Sequence, residues 1–95
     1  MVRIIWSPYA VDDLEAICDY ITKDSEHYAR LFAQGVINGI ERLEIFPESG
    51  RIVPEYNQKS IREIIFQNYR IIYHTKPDAI EILAIIHGTR LIGNY

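Results

Sequence analysis

In the second half of the chain, Arg62, Arg70, His87, Arg90 and Tyr95 are the side chains equipped to hold or process an anion. An arginine guanidinium is a permanently charged planar fork that suits bidentate contact with phosphate or carboxylate. A histidine titrates near neutrality and can move protons. Within an alternating strand, Arg70 shares a face with Ile72 and His74, whereas Arg62 shares one with Ile64 and Phe66. Arg90 follows Gly88 just past an apolar run that ends at His87, and Tyr95 lies at the end of the sequence. If the uncovered face of the sheet is concave, these groups converge on one anion. The competing reading makes them solvated strand residues, or ion-pair partners of Glu63 and Glu81, and spacing alone leaves both open.

Other chemistries find less support. Cys18 lies on the buried stripe of a helix pattern, so it reads as inert, and a single cysteine makes no internal disulfide. His27, His74 and His87 are too scattered for metal-ligand spacing, and no cofactor is expected. No serine or cysteine is placed beside a histidine and an acid, so nucleophilic catalysis has no specific signal. Tyr69 and Tyr73, on one strand face, either stack on bases or pack in the core. The chain has a formal net charge of −3, divided unevenly. Residues 1–50 hold 4 basic against 9 acidic side chains, and residues 51–95 hold 6 against 4. That balance argues against tight non-specific binding to nucleic acid, which draws its affinity from counterion release. It leaves room for a local basic site in the second half.

The elements that must position these groups follow from periodicity. With 95 residues, 48% of them hydrophobic, the chain is long enough for one small core and is expected to form a single domain over residues 1–95. Residues 2–6 read as a strand ended by Ser7-Pro8, a capping residue followed by a proline suited to the first helical turn. Ala10, Leu14, Ile17, Cys18 and Ile21 then form one apolar stripe, with Asp12 and Asp13 placed early to suit the positive end of the helix. After Lys23-Asp24-Ser25, a second helix carries Ala29, Phe32, Val36, Ile40 and Leu43 to about Ile45. Gly35 and Gly39 cost helix propensity and are expected to admit another backbone closely. Residues 51–59 show no period. Residues 61–66, 69–74 and 80–87 are β-branched and aromatic, and predict three antiparallel strands. The expected fold is α+β: an N-terminal strand, then a two-helix antiparallel hairpin packed on a C-terminal three-stranded antiparallel meander. No apolar stretch is long enough to span a bilayer, so a cytoplasmic protein with no membrane partner is expected.

Taken together and in order, these motifs resemble the ParE/RelE superfamily of toxins from bacterial type II toxin–antitoxin systems. The resemblance spans nearly the whole chain. It rests on Ser7-Pro8, Ala10, Asp13-Leu14 and Ile17, with Tyr20-Ile21 closing the first helix, then Phe46-Pro47, Gly50-Arg51 and Pro54-Glu55. Ile61-Arg62-Glu63, Tyr69 to Tyr73 and Ile86-His87-Gly88-Thr89-Arg90 complete it. The superfamily divides into RelE-like ribosome-dependent mRNA endoribonucleases and ParE-like inhibitors of DNA gyrase. Arg70 and Arg90 match arginines of the RelE pattern, and Tyr95 lies near its terminal tyrosine, so these are the catalytic residues implied if the chain is a ribonuclease. The pattern breaks at strand 61–66, where RelE-like nucleases carry lysines and this chain has Arg62 beside Glu63. The acidic balance and His87-Gly88-Thr89-Arg90 point instead to the ParE-like side, with Arg62, Arg70, His87 and Arg90 as the functional surface. Arg70 is discordant there, because many ParE-like chains are aliphatic at that place. Either function implies a cognate antitoxin, in a toxin–antitoxin hetero-oligomer, with gyrase, or alternatively the ribosome and mRNA, as the target. A role in plasmid stabilisation and growth arrest belongs to the same resemblance.

Overall fold

The structure is a computed structural model and describes residues 1–90. Strand β1 (Arg3–Trp6) leads into helix α1 (Pro8–Thr22) and helix α2 (Glu26–Glu41), which ends in a single 3₁₀ turn at Arg42–Glu44. Strands β2 (Arg51–Ile52), β3 (Ile61–Phe66), β4 (Tyr69–Thr75) and β5 (Ala79–His87) follow. All five strands form one sheet in the order β1-β5-β4-β3-β2. The expected meander is therefore the centre of a larger sheet. The N-terminal strand joins it by pairing parallel to β5, and two residues of the irregular segment 51–59 add a short strand on the opposite edge.

Local chemistry explains where the helices begin. The Ser7 side chain accepts a hydrogen bond from the Ala10 amide at 3.1 Å, and Pro8 occupies the first turn, whose N–H groups lack helical partners. Ser25 caps α2 in the same way through the Tyr28 amide at 3.2 Å. The first turn of α1 contains no acid, contrary to the helix-dipole expectation for Asp12 and Asp13. Asp13 has a different use: its carboxylate accepts the Ile85 amide at 2.9 Å, beyond the end of β1. The Ser7 amide donates to the Ile82 carbonyl and its hydroxyl to that of Leu83, both at 2.9 Å. Side chains of α1 thus continue the hydrogen bonding that β1 begins along β5.

The helices cover one face of the sheet. Ala10, Phe32, Val36, Ile40 and Leu43 meet Ile71, Tyr73, Ile80, Ile82 and Ile85 in the main core. A bulge opposite Ile72 and Tyr73 leaves Leu83 unpaired, because Ile82 opposes Tyr73 while Ala84 opposes Ile72. The extra residue reverses the parity of the strand. Ile80 and Ile82 face the helices, whereas Ala84 and Ile86 turn to the other side. There they join Val53 and Ile72 in a second, smaller apolar cluster, against which Tyr56 packs. The face opposite the helices is therefore covered at its centre by the segment after β2, and it is not the open platform expected of the meander. Both faces of β4 are buried, as its nearly continuous apolar sequence requires.

Candidate functional site

Arg70 lies in the middle of the sheet on the face away from the helices, opposite Ile65 of β3 and Ile86 of β5. Its side chain is only 6% exposed. Nε donates to Glu63 Oε1 at 2.6 Å, and Nη1 and Nη2 grip the Glu55 carboxylate at 2.7 and 2.8 Å. Nη1 also donates to the Arg90 carbonyl at 3.1 Å. The fully buried Glu63 side chain uses its other oxygen to accept Arg51 Nε at 2.5 Å. Arg51, Glu63, Arg70 and Glu55 therefore alternate in sign along one chain and sum to zero. Burying charge is tolerable only when it is paired and hydrogen-bonded, and no buried side-chain nitrogen or oxygen among the described residues lacks a partner. The hydrogen bonds it donates to Glu55, opposed by burial and reinforced by Glu63, hold the Arg70 guanidinium still more firmly protonated than usual.

Arg62 points the other way. Strand alternation places it on the helix side, opposite Tyr73, as the sequence spacing implied. Its guanidinium donates to the carbonyls of Gly50 at 2.9 Å, Lys59 at 3.0 Å and Glu48 at 3.3 Å. The Tyr73 hydroxyl accepts the Gly50 amide at 2.9 Å, and burial pushes this phenol above its ordinary pKa against that hydrogen bond. Arg62 and Tyr73 together pin residues 48–50 and fix the entry to β2. Tyr73 is fully buried, so it offers no stacking surface for a base.

The remaining candidates stand at the Asn68 end of the sheet. The Gly88 amide donates to the Asn68 carbonyl at 2.6 Å, and the Arg90 amide donates to the His87 carbonyl at 2.9 Å. His87 Nδ1 lies 2.8 Å from the Thr89 hydroxyl and accepts the Thr89 amide at 3.3 Å. An aromatic series backs the turn: Phe32 meets Tyr69 edge-on at 5.2 Å, and Tyr69 meets His87 edge-on at 5.7 Å. His87 and Arg90 are exposed. Tyr95 lies outside the described residues.

The expected convergence therefore divides. His87 and Arg90 share one turn, and Arg70 sits beneath it with its charge already matched. Arg62 is on the opposite face, held by backbone carbonyls. Of the two sequence readings, ion pairing is the one the geometry gives Arg70, with Glu63 as a partner. Glu81 pairs instead with Lys76, at 3.3 Å.

A second feature was only half visible in the sequence. An open groove of about 620 Å³ runs between α2 and the outer part of β3, lined by Gly35, Asn38, Gly39, Arg42, Ile64 and Phe66. Gly35 does admit a close neighbour, but it is a side chain and not a backbone. A β-carbon at Gly35 would collide with the Phe66 ring, whereas one at Gly39 would make ordinary contact, 3.5 Å from Ile64 Cδ1. The edge of β3 past the Arg51–Glu63 pair has no strand beside it among the described residues, and Ile65 is 56% exposed there.

Comparison with known proteins identifies the group. The family model described as "ParE toxin of type II toxin-antitoxin system, parDE" matches residues 4–92. The chain belongs to the ParE toxin family. It is 30% identical over 92 residues to Toxin RelE2 of Caulobacter vibrioides, an alignment covering 96% of this chain and all of that protein. A solved structure titled "Chromosomal ParDE TA system from P. aeruginosa" superposes with a TM-score of 0.75 at 22% identity, covering 92% of this chain and 96% of the other. The ParE-family chain thus shares that α+β fold. No helix among the described residues is long and apolar enough to cross a membrane.

Proposed function

We propose that this ParE-family toxin arrests growth by binding DNA gyrase in the cytoplasm, within a plasmid-stabilising system, and that a cognate antitoxin neutralises it. The observation that carries the reading is the pairing of Arg70. Cleaving RNA through its own 2′-hydroxyl requires aligned atoms, proton transfer and cations on the phosphorus centre. Of the two arginines that match the ribonuclease pattern, Arg70 is engaged by Glu55 and Glu63, and Arg62 is turned to the other face. His87 and Arg90 remain exposed, a constellation better suited to recognising a macromolecule than to stabilising a phosphorane. Arg90 is then a contact residue for the target. The net charge of −3 supports the same reading, because a protein that settles on ribosomal RNA gains from a strongly basic surface.

The groove between α2 and β3 is the surface we assign to the antitoxin. Apolar Ile64 and Phe66 line it for anchoring, Arg42 stands at its rim, and the adjoining strand edge accepts an extended segment. The RelE2 name of the Caulobacter relative favours the alternative, a ribosome-dependent mRNA endoribonuclease, with Arg70, Arg90 and Tyr95 as its catalytic residues. Induction of the toxin without its antitoxin separates the two. We expect filamentous cells with a DNA-damage response and intact transcripts; codon-phased breaks in messenger RNA without DNA damage would overturn the proposal.

A further inference from the structure

Arg70 joins three stretches of chain that are remote in sequence: Glu55 after β2, Glu63 within β3, and the backbone of Arg90 at the end of the described residues. We propose that Arg70 is a positioning residue, whose buried guanidinium holds the Gly88–Arg90 turn so that the Arg90 side chain is presented to the target. The inference rests on the reading of Arg90 as a contact residue.

Two observations carry it. First, Glu63 and Glu55 leave Arg70 no freedom to reach outward. Nε is spent on Glu63, Nη1 and Nη2 on Glu55, and the further contact of Nη1 is with a main-chain carbonyl. A group fixed on one side by two carboxylates is a rigid donor for whatever lies on its other side. Second, among the described residues the turn has few other anchors. Among those residues its ties to the rest of the fold are the Gly88 amide on the Asn68 carbonyl and the Arg70 donor, while the Thr89 and Arg90 amides bond to His87 within the turn. The placement of Arg90 therefore depends on a residue twenty positions earlier in the chain. A lysine at position 70 keeps one positive charge near Glu63, but it lacks the fork that reaches Glu55 and the Arg90 carbonyl together.

The test combines potency with amide exchange, using the full-length toxin. Growth-arrest potency is read as the inducer level giving half-maximal inhibition, corrected for soluble toxin, in wild type, Arg70→Lys, Arg90→Ala and the double variant. Positioning predicts at least tenfold lower potency in Arg70→Lys, a similar loss in Arg90→Ala, and no further loss when both are combined, because the two residues act as one unit. It also predicts exchange of the Thr89 and Arg90 amides in Arg70→Lys that is faster by at least tenfold more than any change at β4 and β5 core amides. A structural role alone would speed exchange equally throughout the sheet, and the potency losses would multiply; either result overturns the proposal.

If Arg70→Lys fails to fold, Gly88→Ala takes its place. A methyl group there would stand 3.1 Å from the Asn68 carbonyl oxygen, so the turn or residue 68 must give by a few tenths of an ångström without altering the charge network. With Thr89 and Arg90 exchange accelerated, it should reduce potency without an added effect of Arg90→Ala; full potency despite that acceleration would contradict the proposal. Full potency in Arg90→Ala would remove Arg90 from the target contact, whereas the exchange of residues 88–90 in Arg70→Lys would still decide whether Arg70 holds the turn.

Discussion

Replacing Arg70 by methionine isolates what the buried charge network contributes. The substitution preserves much of the side-chain volume but strips the guanidinium from Glu55 and from Oε1 of the fully buried Glu63. Removing one partner of a buried ion pair typically costs about 3–5 kcal/mol, because the remaining charge stays desolvated. Urea unfolding of Arg70→Met should show a loss of that size, and a loss below about 1 kcal/mol would mean the network is freely hydrated. Tyr73 gives a prediction in pH. Burial raises its pKa in the folded protein, so the unfolded chain, ionising near pH 10, releases its proton first. The stabilisation is fully present below that pH and is lost as pH rises through the higher folded value. Thermal unfolding should therefore fall more steeply above pH 10 in wild type than in Tyr73→Phe; equal slopes would exclude Tyr73 as the source.

The seam between α1 and β5 is the element-scale device that closes one edge of the sheet. β1 stops pairing at Trp6, and Ser7 and Asp13 then satisfy β5 groups that would otherwise face a helix without partners. Asp13→Ala leaves the Ile85 amide without its acceptor, at a cost of about 1–3 kcal/mol. Faster exchange of the Ile85 amide should accompany the loss, and an unchanged Ile85 exchange rate would show that the contact contributes nothing.

What the sequence discloses at this scale depends on how local the cause is. Ser7-Pro8 marks the start of α1 correctly because cap and proline act within one turn. The stripe from Ala29 to Leu43 likewise marks the buried side of α2. β2 escapes notice because two residues have no period, and only pairing with Glu63 and Arg62 makes them a strand. The parallel placement of β1 and the parity change at Leu83 are fixed by tertiary register. Of the candidate site, the pairing of Arg70 with Glu63 was foreseeable two residues apart on facing strands. Glu55 was not, since it reaches Arg70 from an aperiodic segment fifteen residues away.

For the molecule as a whole, the sheet separates two surfaces. One side carries the helices and, at the outer edge of β3, the groove assigned to the antitoxin. The other is sealed at its centre by Val53 and the Arg51-Glu63-Arg70-Glu55 chain, and ends in the exposed His87–Arg90 turn. On the proposed reading, neutralisation and target contact use separate surfaces, so an antitoxin need not cover Arg90 to bind tightly. Target binding, and not phosphate chemistry, is the proposed activity, with Arg70 internally paired. The most direct measurement is DNA supercoiling by purified gyrase with increasing amounts of the isolated toxin, run beside a reconstituted translation reaction. The account predicts dose-dependent loss of supercoiling and uncut messenger RNA. Full supercoiling at excess toxin, with messenger RNA cut on the ribosome, would contradict it.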